Sequence, residues 1–157
     1  SKVLVSINVI DMLDCKEREL KREEINFFYR GTNLPNNILI TSVKLKGIKT
    51  SKVIVEKKQN ELLQKKKLSQ PTQVKTCGST FKNLSNDKKA WKLIKDSGCT
   101  ELKEGDAIIS KKHCNFFINN GEAKSSDIEK LINKVKQLVC DKTGVNLELE
   151  IKIIGEH

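Results

Sequence analysis

Residues 71–83 read PTQVKTCGSTFKN and join a lysine-rich helical stretch to an apolar strand. Gly78 supplies backbone freedom that no other residue type has, so Ser79 can turn out of a strand edge toward a ligand at little steric cost. Phe81 then points to the opposite face, and Lys82 and Asn83 follow as polar donors. A serine so placed can give a proton to a carbon centre if a neighbouring group stabilises the alkoxide it briefly becomes. The same residues also fit a plain Gly-Ser turn between two elements.

Upstream, Ser51 is placed to cap a helix running to Lys67, with Val53, Ile54, Leu62 and Leu63 as an imperfect apolar stripe, and Gln70-Pro71 closes it. Before it, residues 38–46 alternate as a strand that Gly47 ends, and Val3, Val5, Ile7 and Val9 alternate as a first strand. Residues 15–24 are polar and charged, which predicts a turn and a short amphipathic segment leading to Ile25, Phe27 and Phe28. Tyr29 and Arg30 then precede the turn-rich GTNLPNN, where an arginine fork can reach a carboxylate or phosphate or remain a surface cation.

Downstream, Asn86 or Asp87 can cap a helix carrying Ala90, Trp91, Leu93 and Ile94 that stops at Gly98. Residues 107–109 and 115–118 predict two short strands joined by the corner 110–114, and Asn119-Asn120-Gly121 is a turn signal. Ser126 with Glu129 suggests a capping box for a helix whose Ile128, Leu131, Ile132, Val135, Leu138 and Val139 recur at helical spacing until Gly144. Residues 145–153 alternate as a last strand, with Glu148, Glu150 and Lys152 on its wet face. The class is α+β, a mostly antiparallel sheet with packed helices.

With 157 residues, 37% of them hydrophobic, the chain can bury a core. It shows no run of apolar residues long enough for a membrane span and no signal-peptide pattern at SKVLVSINVI, which places it in the cytoplasm with no membrane partner. The first residue is not methionine and a strand begins almost at once, so a piece of a longer chain is expected. Five cysteines, widely spaced and without a C-x-x-C pair, suggest free and mostly buried thiols and no metal site. The formal charge of +10 comes almost wholly from lysine, with arginine only at positions 18, 22 and 30, and aromatics make up 4%. That balance disfavours nucleic acid, which selects arginine forks and stacking rings, and favours a solvated lysine surface able to attract an anionic small ligand. A lysine-rich nucleic-acid or anion-binding module without catalytic activity stays as the alternative function.

Four stretches read together resemble one family, the FAD-dependent UDP-N-acetylenolpyruvoylglucosamine reductases of peptidoglycan synthesis. They are residues 27–32 (FFYRGT), 70–83 (QPTQVKTCGSTFKN), 107–119 (AIISKKHCNFFIN) and 145–155 (VNLELEIKIIG), in the order of that family's C-terminal half. The resemblance covers essentially the whole chain. It implies that residues 1–47 are the last strands of a flavin-binding domain and 48–157 a substrate-binding domain. The glycine-rich segments with which the family holds its flavin diphosphate have no counterpart here, so the resemblance implies a missing N-terminal flavin-binding half and an inactive isolated fragment.

The same resemblance places the family's catalytic serine on Ser79, its arginine on Arg30 and its glutamate on Glu150. It implies NADPH and FAD as cofactors and UDP-N-acetylglucosamine enolpyruvate as substrate, reduced to UDP-N-acetylmuramate for cell-wall biogenesis, cell shape and cell division. Arg30 and Glu150 would stabilise the charge that develops on the enolic carboxylate, and Ser79 would protonate the adjacent carbon; Glu150 would then have to hold or share a proton. Tyr29, Lys82 and Asn83 would contact substrate, and Lys152 the cofactor. The family commonly has proline where Leu84 and Leu149 stand, arginine where Lys152 stands and glycine where Asp106 stands. Read alone, Glu150 is a solvated strand residue and His113 a strand-corner histidine.

Overall fold

The computed structural model describes residues 2–85 and 88–155. The chain forms two compact units, Ser1–Val55 and Glu56–His157.

The first unit is built on strand β1 (Leu4–Asp11), which pairs antiparallel with β2 (Lys16–Lys21) on one side and β5 (Ile38–Leu45) on the other. Ile7 and Val9 from β1 and Ile25 form its small buried core, packed by Leu4, Leu20, Leu34 and Ile38. Residues 15–24 are not the amphipathic segment the sequence suggests. They form β2 and one 3-10 turn, Arg22–Glu24, because Asp14 and Cys15 reverse the chain: Lys16 N–H donates to the Asp14 carboxylate at 3.0 Å and Cys15 takes φ 55°. As an edge strand with almost every side chain in water, β2 has no reason to alternate. Strands β3 (Phe27–Phe28) and β4 (Gly31–Thr32) make a short hairpin.

Helix α1 (Lys52–Ser69) follows, as expected, with no buried residue. The second unit holds a four-stranded antiparallel sheet of β6 (Lys75–Ser79), β7 (Lys103–Glu104), β8 (Ala107–Ile109) and β9 (Phe116–Asn119), in the order β6-β9-β8-β7. Helices α2 (Ala90–Asp96) and α3 (Ser125–Thr143) pack with it around a core that includes Phe81, Ile94, Phe117, Leu131, Val135 and Leu147. Leu131, Val135 and Val139 stack at i, i+4 spacing on the buried face of α3, and Gly144 at φ 70° ends it.

Three expectations are corrected here. Helix α3 begins two residues before the expected Ser126–Glu129 box: Lys124 is the N-cap, and its N–H donates to the Asp127 carboxylate at 2.9 Å. Residues 145–149 keep the alternating burial, but residues 145–153 form no ladder, only the isolated bridge Phe81–Leu149. Their pairing partner is the stretch just past the end of β6, which offers two backbone bonds rather than a strand: Lys82 N–H to the Glu148 carbonyl at 2.8 Å and Glu150 N–H to the Thr80 carbonyl at 2.9 Å. All five cysteines are free, but only Cys99 and Cys114 are buried; Cys15 and Cys77 are exposed. The expected α2 caps Asn86 and Asp87 lie outside the described residues. Asn83 accepts from Ala90 N–H at 3.0 Å and so caps that helix from a distance.

Candidate active site

Ser79 is the last residue of β6, and the chain reaches it through a bulge. Thr76 pairs with Ile118 and Ser79 with Phe116, so three steps on β6 match two on β9. Gly78 absorbs the extra residue at φ 90°, and the Thr76 hydroxyl fixes the distortion by donating to the Phe117 carbonyl at 2.6 Å while accepting from Gly78 N–H at 3.3 Å. The half-buried Ser79 side chain therefore leaves a strand end whose geometry is set from both sides.

The next two residues are held more tightly still. Thr80 N–H donates to the Asn115 carbonyl at 2.7 Å, and the buried Asn115 carboxamide takes both backbone groups of Phe81. Because Glu150 N–H meets the Thr80 carbonyl, Glu150 is held across from the residue that follows Ser79. Its side chain is half-buried rather than on a fully wet face. A hydroxyl-bearing and a carboxyl-bearing residue 71 positions apart thus stand near one strand end, through the two backbone bonds that flank the Phe81–Leu149 bridge.

The other expected site residues divide between the units. Lys82 ion-pairs with the exposed Glu148 at 3.3 Å, a contact worth little in water. Asn83 has its carboxamide oxygen on α2, and Lys152 is exposed. In the first unit, Tyr29 and Arg30 are the two turn residues of the β3–β4 hairpin, both exposed, with the guanidinium 4.9 Å from the Tyr29 ring centre. Arg30 takes φ 59°, a left-handed conformation that costs a non-glycine residue about 1 kcal/mol or more. The hairpin is pinned by Phe28, whose ring covers Gly31 so closely that a Cβ there would lie 2.0 Å from it.

Asn115, which sequence reasoning passed over, and His113, which it read only as a strand-corner histidine, shape this region. Asn115 was visible as a lone amide inside the apolar run 114–118, a position that demands a partner. His113 is half-buried between Trp91 and Phe116, its Nδ1 accepting from Asn115 N–H at 3.3 Å, and burial pushes its pKa down.

A family model described as the C-terminal domain of UDP-N-acetylenolpyruvoylglucosamine reductase matches residues 70–154, more than half of the chain. The chain belongs to that reductase family. The reductase of Wolbachia pipientis wMel is 41% identical over all 157 residues, which correspond to 53% of that protein. The reductase of Pelagibacter ubique is 46% identical over 154 residues, 97% of this chain and 51% of the relative. A crystal structure of the Thermus caldophilus reductase matches 96% of the chain and 52% of its own, with a TM-score of 0.81 and 31% identity. The fold class expected from the sequence, α+β with antiparallel sheets, is that of the family. The chain spans about half the length of the curated relatives it matches.

Proposed function

We propose that this chain is the substrate-binding and proton-donating half of a UDP-N-acetylenolpyruvoylglucosamine reductase, acting in the cytoplasm in peptidoglycan synthesis. Family membership and coverage of about half of the relatives support this reading. So does the apolar surface left open: Leu39, Val43 and Leu45 on β5 and Val53, Ile54 and Leu62 on α1 are all more than half exposed, as expected of elements that pack against further protein. Residues 1–47 would then be the end of a flavin-binding domain and 48–157 the substrate-binding domain. Among the described residues no helix is long and apolar enough to cross a membrane.

FAD and NADPH are the cofactors of this reading, but the chain does not itself fit a flavin diphosphate. Its eight glycines are scattered singly, with no glycine-rich loop whose N–H groups could cradle phosphates. Lys152 can at most meet a phosphate from its exposed position. Hydride delivery is therefore assigned to the half of the reductase outside these residues.

What this chain contributes is the proton and the charge. Saturating the enolpyruvyl double bond requires a proton at the carbon next to the carboxylate, and Ser79 Oγ is the donor. Arg30, and Glu150 in a form that holds or shares a proton, stabilise the negative charge that the carboxylate carries meanwhile, while Tyr29, Lys82 and Asn83 bind the substrate. The observation that carries the assignment is the backbone bond of Glu150 to Thr80, which puts carboxyl and hydroxyl residues at the same strand end. The 157-residue chain alone should be inactive. In the complete reductase, Ser79→Ala should lower substrate reduction by about 10²–10⁴-fold and leave oxidation of NADPH by the flavin nearly unchanged; equal loss of both half-reactions would remove Ser79 from the role.

A further inference from the structure

The sheet of the second unit has a cavity on the face away from Ser79. Ser79 stands opposite Phe116 in the β6–β9 pair, so Phe117, the next residue of β9, points to the other face. There it meets Phe81 edge-on with ring centres 5.9 Å apart. Phe117 lines a cavity of about 290 Å³ together with Ile128 of α3 and Ile151. That volume is near the lower end of the range of about 300–1,000 Å³ typical of ligand sites, which limits the occupant to a small molecule. Ser79, Arg30 and Glu150 are not among its walls.

The polar groups around it are unevenly spent. The Thr76 hydroxyl is bonded to the Phe117 carbonyl, and the Asn119 carboxamide takes Gly121 N–H, Ala123 N–H and the Ala123 carbonyl. Thr80 is different. It is 2% exposed and both of its backbone groups are bonded, but its hydroxyl has no partner among the described residues. Leaving a buried hydroxyl unpaired is costly. The Ser97 oxygen is sealed from solvent, whereas that of Thr80 is not, and the opening beside Thr80 is this cavity. Ser125 at the start of α3 lines it too, and the first N–H groups of a helix have no partner within the helix. Lys75 and Lys124 add two positive charges, and no carboxylate among the described residues lines the cavity. Lys75 is held only by a 3.3 Å bond to the Gly121 carbonyl in water, and Asp127 is turned onto Lys124 N–H at 2.9 Å.

An unpaired hydroxyl, a helix start and two cations beside an apolar wall suit one anionic group on an apolar body. We propose that this cavity is a ligand site for a small apolar carboxylate. The carboxylate sits on the Thr80 hydroxyl and the start of α3 in the field of Lys75 and Lys124, and the hydrocarbon part lies against Phe117, Ile128 and Ile151. The site stands on the second unit alone and does not depend on the reductase reading. Its occupant would grip, from behind the sheet, the residue that follows Ser79 and receives Glu150 N–H.

Benzoate is the probe, with benzamide as its uncharged counterpart and inorganic phosphate as an anion without an apolar body. Calorimetry on the complete reductase should show benzoate binding that is about tenfold weaker in Thr80→Val and in Lys124→Ala and unchanged in Arg30→Ala, outside the cavity. Thr80→Val should also raise the melting temperature without ligand, because it removes the unpaired hydroxyl, so its weaker binding is not a folding defect. Cys77 is exposed and lines the same cavity. Benzoate should slow its alkylation by iodoacetamide, read by peptide mass spectrometry, and leave that of the exposed Cys15 unchanged. No heat at millimolar benzoate, equal affinity in wild type and both cavity variants, equal binding of benzamide or phosphate, or loss of binding in Arg30→Ala overturns the assignment. Binding is read without turnover, so a harmless Ser79→Ala would remove the proton donor and leave this site standing.

Discussion

Asn115 grips Phe81 by both of its backbone groups: Phe81 N–H donates to Asn115 Oδ1 at 2.9 Å and Asn115 Nδ2 donates to the Phe81 carbonyl at 2.8 Å. Both residues are buried, at 3% and 0% exposure, so water cannot replace either bond. Asn115→Ala should therefore cost about 2–4 kcal/mol, the penalty for leaving a buried donor and a buried acceptor unpaired. Asn115→Asp, which keeps the acceptor and loses the donor, adds a buried charge and should be no milder. Urea unfolding of the chain measures both, and an alanine variant within about 0.5 kcal/mol of wild type would mean that the clamp does not hold the segment after Ser79.

How much of this was legible in the sequence follows from how local each signal is. The i, i+4 apolar spacing of Leu131, Val135 and Val139, the alternation in β1 and the glycine before Ser79 are local, and each led to the right element. Strand β2 was not legible, because KERELK lies on a sheet edge with nearly every side chain in water and so shows no period. Residues 145–153 have a strand's alternation because one side is buried, but a ladder also needs a partner strand, and β6 ends at Ser79. The approach of Glu150 to Thr80 depends on a pairing across 70 residues that no local pattern encodes; only resemblance of the separated motifs pointed to it.

Asp106 is accommodated by Gly121. The Asp106 carboxylate accepts from Glu122 N–H at 2.9 Å, its carbonyl accepts from Asn120 N–H at 2.9 Å, and a Cβ on Gly121 would lie 2.5 Å from Asp106 Oδ2. Gly121→Ala should push the carboxylate off the turn and cost about 1–2 kcal/mol, the worth of that bond with the accompanying strain. In an Asp106→Gly background the same change should cost less than half as much. Strictly additive losses across this double-mutant cycle would show that the two positions are not coupled.

His113 makes stability depend on pH in a defined direction. Burial holds its pKa below the ordinary 6.5, so the unfolded chain binds a proton more readily than the folded one. Its stabilising contribution is complete above pH 6.5 and is lost as pH falls from there through the folded-state value. Protonation also removes Nδ1 as acceptor for Asn115 N–H. The lowered carboxyl pKa values of Asp11 and Glu19 place their titration beneath this window. The urea midpoint should therefore drop between about pH 7.5 and about pH 5.5, and His113→Gln should flatten that drop. An equal drop in the variant would assign it to other groups.

Gly78 and Gly47 separate backbone strain from lost space. A Cβ on either residue meets nothing within 4 Å, so neither substitution is sterically blocked by neighbours. Only Gly78 has a positive φ, 90°, where an L-residue is strained. Gly78→Ala should accordingly destabilise the chain by about 1–3 kcal/mol, while Gly47→Ala should be neutral or stabilise by up to about 1 kcal/mol through the unfolded state. The strain in Gly78→Ala can be relieved only by reshaping the bulge between Thr76 and Ser79, which re-aims the serine. In the complete reductase, Gly78→Ala should thus lower substrate reduction well beyond any change in NADPH oxidation, as the role proposed for Ser79 predicts for Ser79→Ala. If Gly78→Ala unfolds no more easily than Gly47→Ala and reduces substrate normally, the bulge does not set the position of Ser79.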